Sequence, residues 1–401
     1  INRNLKSKLG DFSYEISDTK NALKVKGINI YQLGIYVDLL KDVQGILPKN
    51  FYFILKDKSK QKIKLTEVYE TYLYHKRNYE KFLSDGIKKT VPEKCSYCNF
   101  CDWSDQCQNE WESKRHVNQI LGNNKKDCQK FISSGIKTYD AVAKLNPQKK
   151  IGGLREEIKI KRIEQAKLQL EAEKEGSPKF KYIKENFFLN KGFNLLPEPT
   201  KNDLFFDIES VQDWVYPGKL EYLFGLYFEE NEKKVFKAFW AHNKNEEKQS
   251  VIKFFNFIKD YFKKYPKAKI YHYASYEITA LERLTSIHKV HGVDYDHYLN
   301  LGKFVDLFKV VKQAIYVSQK SYSIKEIEKY YDFKRTGEIK KGDVSEEFYI
   351  QWMQNKDQEL LNKIEEYNMI RKMIINLIIY ITLASSCAFA NSNTIVTAEF
   401  F

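Results

Sequence analysis

The sequence predicts an α/β fold, with a mixed central sheet flanked by helices filling the second half of the chain. Three observations carry that prediction. Beyond residue 203, short apolar runs of strand length alternate with longer stretches of helical periodicity. The segment Leu195-Leu-Pro-Glu-Pro-Thr breaks the chain just before them, because prolines so close together cannot sit inside a helix. Upstream, a smaller strand–helix–strand pattern opens the chain, and a charged helical tract joins it to the rest.

Taken in order, Phe12-Ser-Tyr-Glu-Ile-Ser alternates apolar and polar residues as a half-buried strand does. A helical run through Ile28, Ile30, Leu33, Tyr36 and Leu40 follows, then an apolar strand from Phe51 to Leu55 and a helix over 64–82. Residues 113–190 read as mostly helical, most plainly from Arg155 to Lys174, until Gly176-Ser-Pro-Lys interrupts them. The second half is expected to run strand 203–209, strand 220–229, strand 234–240, helix 246–264, strand 268–273 and helix 276–288. Helices near 303–313, 323–331 and 345–354, and one from about 357, complete it. Four parts result: 1–112, 113–194, 195–372 and an atypical apolar tail, 373–401.

The formal charge is +14 and the pI about 9.1. Such a balance favours a polyanionic partner, since phosphate contacts release counterions; an AT-rich gene, which encodes Lys, Asn, Ile, Tyr and Phe cheaply, accounts for it equally well. Five of the six cysteines fall between Cys95 and Cys128, too clustered for a secreted disulfide framework in a chain this long. With no initiator Met and no leader, the chain reads as a cytoplasmic protein truncated at its N-terminus. Met373 to Ala390 carries no charge, near the minimum length of a membrane span, but Asn376, Thr382, Ser385 and Ser386 dilute it; a membrane tether through 373–390 is the least favoured reading.

The chemistry begins at Asp207-Ile-Glu209. Carboxylates two residues apart on a strand share one face and repel one another unless a cation joins them, which suits a divalent metal. An isolated D-x-E is common, and the order that follows gives it weight: Lys219-Leu-Glu-Tyr-Leu-Phe-Gly-Leu, Tyr271-His-Tyr-Ala-Ser-Tyr-Glu277, Ser321-Tyr-Ser-Ile-Lys and Tyr367-Asn. Together these resemble the RNase H-like domain of RecB-like nucleases, a domain similar to DEDD 3′–5′ exonucleases. The resemblance implies that Asp207 and Glu209 bind metal on the first strand and that Glu277 is the third carboxylate, where most DEDD enzymes carry Asp. Asp306 either adds to the metal site or caps the helix it begins. Tyr367 would orient the attacking water, and two Mg²⁺ or Mn²⁺ ions about 4 Å apart would activate it. Nucleic acid, DNA or RNA, is the implied partner, with a helicase fused or associated; no small-molecule substrate is implied. The fourth carboxylate of the pattern belongs four residues after Tyr367, where this chain has Arg371, and no acid follows until Glu399. The text after residue 370 therefore reads as altered, and a nucleic-acid-binding module without catalysis stands as the alternative to an enzyme.

Asp18-Thr-Lys20 followed by Gln32-Leu-Gly-Ile-Tyr36 resembles, more fragmentarily, the core of a RecB-type PD-(D/E)XK nuclease, a restriction-endonuclease-like α/β domain. That resemblance gives Asp18 the metal, Lys20 the water or phosphate, and Gln32 and Tyr36 one helix face toward the site. Its upstream metal-binding Asp has no counterpart in residues 1–11. Cys95-x2-Cys98-x2-Cys101-x5-Cys107 gathers four thiols in a short span, which suits zinc or an iron–sulfur cluster. Cys98, Cys101, Trp103 and Cys107 match the pattern of iron–sulfur RecB-like nucleases, so a [4Fe–4S] cluster is expected, with Zn²⁺ as the alternative and Cys95 replacing an upstream ligand. Finally, Ile132-Ser-Ser-Gly135-Ile-Lys137-Thr resembles the hairpin of a helix-hairpin-helix, whose glycine turn presents amides to a phosphate; a plain helix–helix turn reads equally well.

Overall fold

A computed structural model describes residues 1–20, 22–86, 91–183, 190–212, 216, 218–330 and 342–369. The chain divides into two compact units, Ile1–Pro92 and Glu93 onward, so the cysteine segment belongs to the second.

In the first unit, β1 (Ile16–Thr19) leads through α1 (Gly27–Gln44) to β2 (Asn50–Ile54), which lies parallel to it; β3 (Lys60–Lys64) pairs antiparallel on the other side of β2, and α2 (Leu65–Ser84) follows. Leu33 and Val37 of α1 pack on Phe51, Phe53 and Leu65. Gly45 ends α1 with φ of 78°, its N–H returning to the Lys41 carbonyl, the usual left-handed stop. The first strand begins at Ile16 and not at Phe12: residues 12–15 supply the alternation, but the ladder to β2 starts only at Ile16↔Phe51.

The second unit opens with a 3-10 turn, Ser96–Phe100, and the helices α3 (Ser104–Ser113), α4 (Lys125–Ser133), α5 (Tyr139–Ala143) and α6 (Glu156–Glu175). Val117, Ile120, Phe131, Val142, Ile163 and Ala166 form a core shared by α4, α5, α6 and the turn after α3. A short strand, β4 (Phe180–Tyr182), leads into the main sheet of β5 (Leu204–Val211), β6 (Leu220–Glu230), β7 (Lys233–Trp240), β8 (Ile270–His272) and β9 (Phe304–Asp306). Among the described residues these five strands run in the order β7-β6-β5-β8-β9, with β6 antiparallel to both β5 and β7 and with β8 parallel to β5 and β9 parallel to β8. The mixed sheet is therefore as expected, and β5 lies at its centre.

Helices α7 (Lys244–Lys264), α8 (Tyr276–His288) and α9 (Gly292–Asn300) cover one face, where Leu204, Phe206 and Ile208 of β5 meet Phe254, Leu281 and Leu284. On the other face, α10 (Leu307–Ala314) packs near Phe205 and Tyr271. Past β10 (Ile315–Val317), which pairs with β4, and the short α11 (Ile324–Ile327) come α12 (Gly342–Asn355) and the helical residues 358–369, here α13. They bury Tyr349, Trp352, Ile364 and Tyr367 against Val211 and Tyr222. The helix expected over 303–313 is β9 followed by α10, because Val305 extends the sheet beside Tyr271 before Asp306 turns the chain. No described helix is long and apolar enough to cross a membrane, and residues 373–390 lie outside the described residues.

Candidate active site

Alternation along β5 creates the site. Phe206 and Ile208 point into the core under α7 and α8, so Asp207 and Glu209 stand on the opposite face, between the α10 cluster and the α12–α13 cluster. Both are buried, Asp207 2% and Glu209 7% exposed. Asn368 of α13, itself fully buried, donates from Nδ2 to Asp207 Oδ2 and to Glu209 Oε1, each at 3.2 Å. One amide thus spans the two acids. Its neighbour Tyr367 packs among Val211, Tyr222 and Ile364 and fixes the helix that carries it.

Glu277, at the second position of α8, is 2% exposed and reaches the sheet's end from the α8 layer. Its Oε2 lies 3.8 Å from His272 Nδ1. That ring nitrogen is 2.6 Å from the Ala274 carbonyl, which makes it the protonated one, and burial holds the imidazole below its ordinary pKa despite the nearby Asp306. Ala274 sits at φ of 74°, a left-handed conformation costly for a residue with a Cβ. Asp306 holds this turn: its Oδ1 accepts the Ala274 N–H at 3.0 Å and also caps α10 through the Lys309 N–H at 3.3 Å. Of the two roles expected for Asp306, capping is visible, joined to a second one that clamps the turn leading to Glu277.

A further acid, which the sequence reading passed over, lies behind the site. Glu221 of β6 is fully buried and pairs with Arg283, with Lys219 Nζ at 3.8 Å and with the Tyr276 hydroxyl at 3.2 Å. It belongs to a motif already conspicuous, but only the register Ser210↔Glu221 brings it beside β5. Asn368 was legible only as the residue after Tyr367; nothing in its spacing marks it as the group that bridges the acids. Arg371 lies outside the described residues.

In the first unit all four expected residues meet. Lys20 Nζ lies 2.8 Å from Asp18 Oδ2 and donates to Gln32 Oε1 at 2.6 Å, while Gln32 Nε2 donates to the Tyr36 hydroxyl at 2.9 Å. The chain of contacts runs from β1 onto one face of α1. Tyr36 is the most exposed of them, so the cluster opens to solvent.

The four cysteines are free thiols, with Cys95 exposed and Cys98, Cys101 and Cys107 half-buried. The Cys95 N–H points to Cys98 Sγ at 3.3 Å. Local desolvation, with Cys101, Cys98 and Glu110 acting alongside, raises the Cys107 thiol above its ordinary pKa. Tyr97, Phe100 and Trp103 around them are exposed. Gly135 stands in the left-handed turn between α4 and α5, exposed together with Lys137, so a turn joins two helices there, as both readings of this stretch require.

Among the described residues, no three His, Cys, Asp or Glu side chains are gathered as a ready metal-holding set. The donor chemistry nevertheless fits: Asp207 and Glu209 offer hard oxygens to a divalent ion from a buried, like-charged pair, and the thiols offer soft donors. Residues 204–372 match the family model RNase_H_2, of the RNase_H superfamily. Over those residues the second unit is therefore similar to the RNase H superfamily, a similarity that suggests nuclease-type chemistry on nucleic acid. Comparison with curated proteins and with solved structures gives no match.

Proposed function

We propose that the chain is a divalent-metal-dependent nuclease of the 3′–5′ exonuclease type, hydrolysing phosphodiesters at Asp207 and Glu209 with Glu277 contributing from α8. The observation that carries this reading is the pair itself. Two carboxylates buried on one face of the central strand, bridged by one amide, offer the hard oxygens that a divalent cation takes.

Bound Mg²⁺ or Mn²⁺ would supply Lewis-acid activation of water and stabilisation of the leaving oxygen. The protein's own part is positioning. β5 fixes the two acids on one face, α13 closes over them, and the clamped turn at Ala274 sets Glu277 at the strand ends. Glu277 Oε2 lies 3.8 Å from His272, whose Nδ1 proton is taken by the Ala274 carbonyl.

The test is hydrolysis of end-labelled single-stranded DNA and RNA with Mn²⁺ or Mg²⁺, comparing the parent with Asp207→Asn. Loss of a metal-dependent ladder in the variant supports the reading. Tight binding without any cleavage by the parent supports the second reading, a binding module. Arg371, standing where the resembling family carries its last acid, favours that alternative. In the first unit, the Asp18–Lys20–Gln32–Tyr36 chain supports a partial PD-(D/E)XK core. The spacing of the four thiols supports an iron–sulfur cluster on Cys98, Cys101 and Cys107 with Cys95 as fourth ligand. Exposed Gly135 and Lys137 support a phosphate-backbone contact.

A further inference from the structure

We infer that Asn368 is a cation-responsive amide, which latches Asp207 and Glu209 together when no metal is bound and becomes a metal ligand when one arrives. This rests on the proposed metal-dependent function and adds a residue and a switching motion to it.

The two ends of an amide are nearly equal in shape and opposite in polarity: NH₂ donates twice, while the carbonyl oxygen only accepts. Here the NH₂ end faces the acids, with one nitrogen 3.2 Å from Asp207 Oδ2 and 3.2 Å from Glu209 Oε1. The positive end of the amide dipole therefore stands between two negative groups, where a cation would also be most stable. A cation placed there would repel the N–H groups and attract the oxygen. The terminal torsion of an asparagine side chain is broad and roughly two-fold, so a half-turn exchanges nitrogen for oxygen without moving the backbone. After that half-turn Oδ1 becomes a hard oxygen donor beside two carboxylates, the ligand type that divalent ions prefer.

Packing makes the half-turn the available response. Asn368 is fully buried, and Leu360, Leu361, Ile364 and Tyr367 anchor its helix. The helix cannot withdraw cheaply, whereas the amide can rotate in place. Aspartate at this position would bind a cation more strongly but would leave three buried acids together in the metal-free protein. Leucine would fill the space with neither function.

The experiment uses the full chain, with Mn²⁺ titration by calorimetry and thermal unfolding in EDTA and in Mn²⁺. The parent, Asp207→Asn, Asn368→Asp and Asn368→Leu are compared. Asn368→Leu is expected to melt several degrees lower in EDTA and to bind Mn²⁺ roughly ten-fold more weakly, the loss typical when a ligand's support is removed. Asn368→Asp should also melt lower in EDTA, yet gain more stability from Mn²⁺ than the parent does and bind it more tightly. Should the leucine variant not fold, Asn368→Ser, with a shorter donor and acceptor, takes its place. Parent-like melting and parent-like Mn²⁺ affinity in both Asn368→Asp and Asn368→Leu overturn the inference. If the parent shows no Mn²⁺ binding that Asp207→Asn removes, the metal-dependent function falls and takes the ligand half of the inference with it. Melting in EDTA then still decides the latch.

Discussion

The Tyr276 hydroxyl donates to Ser210 Oγ at 2.7 Å, joining the first residue of α8 to β5 one position beyond Glu209. Burial and the neighbouring Glu221 push that phenol above its ordinary pKa, so it remains a donor at any working pH. The contact fixes the two acid-bearing elements relative to each other. Glu221 holds the same phenol from below, with Arg283 as its counter-ion.

Tyr276→Phe should therefore lower cleavage more than substrate binding, by about ten-fold in kcat for a lost hydrogen bond of about 1.4 kcal/mol. Arg283→Met should cost more in stability, because it leaves the fully buried Glu221 with only the more distant Lys219, at 3.8 Å, as a cationic partner among those described. Breaking a buried pair costs about 3–5 kcal/mol; with Arg283 partly exposed, about 2 kcal/mol is the reasonable figure. Urea unfolding of both variants checks this. A larger stability loss in Tyr276→Phe than in Arg283→Met would reverse the assignment.

In the first unit, a Cβ built on Gly34 would lie 2.4 Å from the Tyr72 ring, so α1 and α2 meet only because residue 34 has no side chain. Tyr72 cannot easily give way, since its hydroxyl is held by Asp38 at 2.7 Å, and Asp38 in turn by Lys76 at 2.6 Å. Alanine would gain helix propensity of about 1 kcal/mol, but overpacking of about 1–3 kcal/mol opposes it, and a ring held at both ends puts the cost at the upper end. Gly34→Ala should destabilise the first unit, and adding Tyr72→Leu should restore much of the loss. Denaturant midpoints of the single and double variants decide it; an unchanged midpoint for Gly34→Ala refutes the close approach.

The central sheet was legible because its strands are apolar runs between clear breaks, and β5 to α8 fall within a few residues of their expected limits. Short elements were not. Phe304–Asp306 is too brief to show a period of two, and β9 exists only because β8 offers it a parallel partner. The acids were visible as D-x-E, whereas Asn368 and Glu221 act through contacts across 161 and 55 positions, which no local pattern encodes. Asp18, Lys20, Gln32 and Tyr36 were readable because a strand and the following helix bring them together with little long-range help.

Burial lowers the pKa of His272 and, less deeply placed, of His242. A histidine whose folded pKa is depressed binds fewer protons folded than unfolded below its ordinary value of 6.5. Its contribution to stability is therefore complete above that pH and is lost as pH falls toward and through the folded value. Unfolding free energy should rise between about pH 5 and 7. His272→Gln should flatten part of that rise. The measurement is a series of urea titrations across this range on both proteins, and an identical slope in the variant removes His272 as a cause.

Asp306 offers the sharpest separation between a ligand and a support. Its Oδ1 accepts N–H groups from Ala274 at 3.0 Å and Lys309 at 3.3 Å, one from the turn before Glu277 and one from the first turn of α10. Asparagine caps helices about as well as aspartate, whereas alanine does not, at a cost of about 0.5–2 kcal/mol. If the residue acts by holding backbone, Asp306→Asn should keep Mn²⁺ affinity and folding close to those of the parent. Asp306→Ala should lose about 1–2 kcal/mol of stability and, through the loosened Ala274 turn, part of the cleavage rate. A metal ligand behaves differently, because removing its charge alone costs affinity while the helix stays capped. Mn²⁺ calorimetry on Asp306→Asn thus answers the question: a loss of ten-fold or more in affinity without a change in melting would make Asp306 a ligand.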